Sequence, residues 1–107
     1  MISIPVVIPE TAEDREVGLL ALTSPPQGWG MLFLDASAIH MIGMQFPIDV
    51  IFFDFNWVVI DKVRAVPGEK KVSAPGTEHI LELGPGAASS VFRGQQAVYQ
   101  NGVLLIG

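Results

Sequence analysis

The sequence predicts a mainly β fold: a compact β-sandwich or distorted small barrel with one short N-terminal helix, a split α+β sheet being the competing arrangement. Three observations predict it. Short runs rich in β-branched and aromatic residues recur along the chain, above all residues 46–54 and 57–66. Glycine and proline separate these runs, and only the segment after Thr11 carries a helical period. At 107 residues the chain is one domain, residues 1–107, long enough for a single core.

Residues 4–8 read as a first strand, with Pro5 tolerable at a strand start or a sheet edge. Thr11 then offers an N-cap, and Glu13 and Asp14 place acids in the first helical turn, where the helix dipole favours them. Ala12, Val17, Leu19 and Leu20 form the expected inner face of this helix. Gly18 costs about 1 kcal/mol in a helix interior, so it signals close packing or an early helix end. Ser24-Pro25-Pro26-Gln27-Gly28 is a loop, because its prolines cannot continue a helix. Short strands are expected at 31–34 and 39–44, the latter interrupted by Gly43.

Residues 46–54 and 57–66 read as a hairpin turning at Phe55-Asn56. In the first arm Ile48, Val50 and Phe52 share one face and Asp49, Ile51 and Phe53 the other. Both faces are apolar, which predicts a central strand covered on both sides. In the second arm Asp61, Lys62 and Arg64 gather toward the far end, the expected exposed end. Further strands are expected at 71–74 and 79–83, and one or two helical turns at 87–92. Residues 97–100 and 103–106 flank Asn101-Gly102, a type I′ hairpin signal.

Composition excludes several function classes. Hydrophobic residues make up 50% of the chain and charged residues 16%, a balance that favours self-association. The net charge of -5 and scattered basic residues, with Lys70-Lys71 the one adjacent pair, argue against a nucleic-acid partner. Without cysteine there is no disulfide or thiolate chemistry. Apolar runs are broken at Asp49, Asp54, Asn56 and Asp61, short of the roughly 20 residues a transmembrane helix needs. The start, Met1-Ile2-Ser3-Ile4-Pro5, has neither basic leader nor long apolar stretch, so the default expectation is cytoplasmic, an upstream export leader being left open.

A family pattern emerges when the segments are read in order: Arg15 with Gly18-Leu19; Gly30-Met31-Leu32-Phe33; His40-Met41 with Gly43-Met44; Phe46-Pro47-Ile48-Asp49; Phe53-Asp54; and Leu81-Glu82-Leu83 with Gly86. In that order and spacing the chain resembles the domain of unknown function 192 family. The resemblance implies a small, mainly β domain of bacteria and archaea, sometimes behind an export signal, and implies no reaction. The chain departs from the family pattern in three places. Many members carry Phe-Trp-Met-Lys-Asn-Thr where this chain has Ile39-His40-Met41-Ile42-Gly43-Met44. The usual Asp-x-x-Gly turn is Asp54-Phe55-Asn56-Trp57, with Asn56 the expected carrier of the positive φ, and the frequent Gly-Asp is Gly94-Gln95.

Asp49 is the foremost site candidate, an acid inside an apolar run. Buried and ionised it needs a partner, either Arg15 or backbone donors of the 41–45 loop; otherwise it is the polar floor of a pocket. His40 and His79 lack helical metal-ligand spacing, and a metal would need both with Asp49 or Glu82, so no metal or cofactor is expected. No serine sits in a Gly-x-Ser-x-Gly elbow, and Gly84-Pro85-Gly86 lacks the phosphate-binding pattern. Met31, Met41 and Met44 with Trp29 and Phe46 are core filler or, if exposed, an adaptable binding surface. The leading expectation is a non-enzymatic binding or interaction module for a small ligand or protein segment, its site near Asp49, Met41, Met44, His40, Trp29 and Arg15. The alternatives are a small enzyme pairing Asp49 with a histidine and an obligate homo-oligomeric scaffold.

Overall fold

The computed structural model describes residues Met1–Gly107. In chain order its elements are β1 (Ile2–Val7), α1 (Ala12–Val17), β2 (Gly30–Phe33), β3 (Ala38–Ile39), β4 (Ile48–Phe53), β5 (Val59–Ala65), β6 (Val72–Ser73), β7 (His79–Leu83), β8 (Ala97–Gln100) and β9 (Val103–Ile106). Seven strands form one sheet in the order β5-β4-β7-β2-β1-β9-β8, and β3 and β6 pair separately. The expected mainly β class with a single short helix holds. The sheet is not a closed barrel: its edge strands β5 and β8 do not pair. The residues just before them meet through an isolated bridge, Val58 to Gln96, with backbone bonds such as Ala97 N–H to Trp57 O. No helix is long and apolar enough to cross a membrane.

Alternation sorts the core into two layers, because successive side chains of a strand point to opposite faces. Leu32, Ile51, Phe53, Leu81 and Leu83 gather on one face with Leu104 and Ile106. Phe33, Ile48, Val50, Phe52 and Ile80 gather on the other, beneath Leu19, Met41 and Phe46. β4 is buried along its whole length, as an apolar strand flanked by β5 and β7 must be. Pro5 fits within β1 because Val6 N–H points to Gly102 O of the β9 side, so the Pro5 nitrogen faces β2, whose ladder starts only at Val6.

Several local expectations change. The helix is Ala12–Val17, capped by Thr11 Oγ1, which accepts from Asp14 N–H at 3.0 Å. Gly18, at φ 49, ends it early, and a Cβ there would lie 3.3 Å from Phe33 Cζ. No helix residue is buried, so the expected inner face is replaced by Leu19 in the turn that follows. The strand expected at 39–44 reduces to Ala38–Ile39, because Met41 and Met44 close a turn through Met44 N–H to Met41 O. Residues 87–92 form successive turns instead of helix, since Ala87, Ser89 and Val91 each donate to the carbonyl three residues back. In the 54–57 turn the positive φ falls on Trp57 (φ 62), not on Asn56. Asp54 Oδ1 accepts from Asn56 and Val58 N–H, and the Trp57 ring stacks on His79 at 4.0 Å. At Asn101-Gly102 both residues have positive φ, as a type I′ turn requires.

Candidate functional site

β7 places Glu82 beside Ile80 on the outer face of the sheet, between Val50 of β4 and Met31 of β2. The strand is buried throughout, and the space beside Glu82 is walled by α1 with its following turn, by Phe33, Ala36, Ala38 and Ile39, and by His40 and Met44 after β3. A cavity of about 250 Å³ remains, lined by Arg15, Glu16, Leu19, Phe33, His40 and Met44 among others, with Glu82 within it.

Glu82 is 6% exposed, and no side chain or backbone group of the protein donates a hydrogen bond to its carboxyl group. Burial alone pushes its pKa from 4.5 to about 7, since the charged form is the one that loses hydration. Arg15 is held over the cavity by Nη1, which donates to Leu34 O at 2.7 Å, and it makes no ion pair with Glu82. His40 Nδ1 accepts from Ile42 N–H at 3.2 Å, leaving Nε2 as its free nitrogen. Met44 contributes a half-buried thioether. One cavity thus holds a titrating acid, a fixed guanidinium, an imidazole and an apolar wall.

Asp49 is built the opposite way. The β4 register sets it directly across from Arg64 of β5, whose Nε donates to Oδ1 at 2.8 Å. Its Oδ2 accepts from Gly86 N–H at 2.9 Å and Ala88 N–H at 3.1 Å. The expected partners, Arg15 and the 41–45 loop, are therefore not the ones used; Arg64 and the 86–88 turn take their place. A groove of about 260 Å³ adjoins Asp49, bordered by Lys62, Arg64 and Ser89. Lys62 Nζ there donates to Ala88 O at 3.0 Å and lies 4.7 Å from the Phe92 ring centre. The charged groups of this groove are occupied in fastening residues 86–88 to the sheet.

The residues singled out from sequence are distributed over separate places. Arg15, His40 and Met44 meet at the Glu82 cavity. Asp49 lines its own groove, and Trp29 borders a third cavity of about 230 Å³ with Ile2, Leu83 and Ala87. Met41 is buried in the core, its backbone N–H donating to Glu69 O at 2.7 Å. His79 is buried elsewhere, with Nδ1 accepting from Asp35 N–H at 3.1 Å. No group of three or more acids and histidines is gathered to hold a metal ion. Glu82 was accessible to sequence reasoning by the test that singled out Asp49, for Leu81-Glu82-Leu83 also sets one acid in an apolar strand.

The profile of the domain of unknown function 192 family, described as an uncharacterized ACR, matches residues 2–96. A protein of unknown function from Novosphingobium aromaticivorans DSM 12444 has a similar structure, with a TM-score of 0.79 at 25% identity, covering 90% of this chain and 75% of that one. A candidate transcription regulator from Sinorhizobium meliloti 1021 shares the fold at a TM-score of 0.70 and 21% identity, covering 94% of this chain and 80% of that one. No curated protein matches.

Proposed function

Since the chain belongs to the domain of unknown function 192 family, and every residue of the Glu82 cavity lies inside the matched segment, we propose that it is a small-molecule binding module with its site in that cavity. One observation carries the reading: the carboxyl group of the largely buried Glu82 has no protein partner and opens into a half-open cavity of about 250 Å³ with mixed polar and apolar walls. A fold that satisfies Asp49 with three donors leaves Glu82 with none, and a bound ligand is what would supply them. Arg15, His40 and Met44 give the ligand two polar contacts and a soft apolar one.

Amide chemical shifts recorded while small organic compounds are added test the reading. Shifts should concentrate at Arg15, Leu19, Phe33, His40 and Glu82, and Leu20→Trp, which fills the cavity, should remove them. Shifts confined to the Asp49 groove, or none with any compound, would overturn it.

A catalytic reading has in its favour the burial of Glu82, which pushes its carboxyl pKa up to about 7, the range where a general acid or base works best. It uses Glu82 with His40 instead of Asp49, whose two oxygens are already engaged. Turnover of a bound compound that Glu82→Gln abolishes while binding persists would favour it over a pure binding role.

A further inference from the structure

The Glu82 cavity is acidic and apolar at once. Two carboxyl groups line it, Glu82 inside and the exposed Glu16 at its rim, against one guanidinium that already serves the Leu34 carbonyl. The molecule's two ion pairs, Arg64 with Asp49 and Arg93 with Asp61, lie outside it. An anionic ligand would set a further negative charge beside these acids, and above neutral pH a neutral one would leave an ionised Glu82 uncompensated. A cation resolves both difficulties, and the net charge of -5 favours its approach.

Resting on the binding role proposed above, we infer that the cavity selects a small organic ammonium ion with an apolar tail. The ammonium pairs with the Glu82 carboxylate, and the tail packs against Leu19, Phe33 and Met44. The titratable groups that line the cavity with Glu82 are Arg15 and Glu16 of α1 and His40 directly after β3, while its strand neighbours Val50 and Met31 carry no charge. Below neutral pH burial keeps Glu82 protonated, so the incoming ammonium displaces the carboxyl proton into solvent and one proton is released per ion pair formed. An acid or alcohol of the same shape releases none from Glu82.

Calorimetric titration of the intact chain with phenethylamine, phenethyl alcohol and hydrocinnamate tests this, run at about pH 6 in two buffers of different ionisation enthalpy. The amine should bind at least about tenfold more tightly than the alcohol and release close to one proton. Glu82→Gln should equalise amine and alcohol and abolish the release, which separates Glu82 from His40 as the proton's source. Equal or tighter binding of the alcohol or acid to the parent protein, or an amine preference that survives Glu82→Gln, would overturn the inference. If other compounds perturb the cavity but phenethylamine does not bind, the ammonium preference falls and the binding role stands; if nothing binds, both fall.

Discussion

Asp49 and Glu82 are acids in neighbouring strands of one sheet, one register step apart: Asp49 lies opposite Leu83, and Val50 opposite Glu82. That single step puts them on opposite faces, and the two faces treat them differently. Asp49 receives a guanidinium and two backbone N–H groups, and it fastens the 86–88 turn. Glu82 receives nothing from the protein and faces a cavity. The difference teaches that burial of an acid does not by itself mark function; the count of donors delivered to it separates a structural clamp from the carboxyl group proposed to meet a ligand.

The largest expected effect tests the clamp. Asp49→Ala removes the acceptor of two backbone donors, one of them in the buried Ala88, and should lower unfolding stability by about 4 kcal/mol in urea denaturation. A loss under about 1 kcal/mol would show that the 86–88 turn holds without it. Next comes Glu82→Gln. Unfolded, Glu82 releases its proton near 4.5; folded, it keeps it to about 7, so the native chain binds the extra proton between those values. Its contribution to stability therefore declines as pH rises through that window, and above it the buried charge costs about 3 kcal/mol. Glu82→Gln should be more stable than the parent by that amount above neutrality and converge with it below the window. A difference that does not vary with pH would remove the contrast between the two acids.

Trp57 lies on the Asp49 side of the sheet, where a strained backbone is offset by packing. Trp57→Ala should cost about 2 kcal/mol through lost packing on His79 and Phe53, and Trp57→Gly about 1 kcal/mol less, since glycine adopts the positive φ freely. Equal losses would mean that the turn carries no strain. The smallest effect is expected from Arg64→Ala, about 0.5 kcal/mol, because the Arg64 side chain is 54% exposed and water screens its ion pair. A loss near that of Asp49→Ala would shift the clamp from the backbone donors to the guanidinium.

Much of the fold was legible because it rests on short-range patterns. Periodicity located residues 79–83, and Asn101-Gly102 located the last hairpin, since local turn chemistry fixes both strands. The partner of Asp49 was not legible, for a specific reason. Phe53 pairs with Val59 but Phe52 with Asp61, so Ile60 is an extra residue in β5. Counted without that bulge, the hairpin sets Val63 opposite Asp49; the bulge moves Arg64 there. The cavity was hidden for another reason. Its walls join residues 15–20, 33–44 and 82, segments far apart in the chain that only the tertiary fold brings together. Sequence supplies Gly18 and Glu82 separately and does not show that both border one space.

The pairing of β1 with β9 has a consequence for how the protein is made. Ile2 lies opposite Ile106, so the ladder joins the beginning of the described chain to its end. Until β9 is synthesised, β1 has only its two-residue parallel register with β2, and the face of Leu104 and Ile106 is missing from the core. Folding of the whole sheet must therefore wait for the last strand, and a nascent chain halted after residue 100 should remain open to protease along β1, acquiring resistance in one step when residues 103–106 emerge.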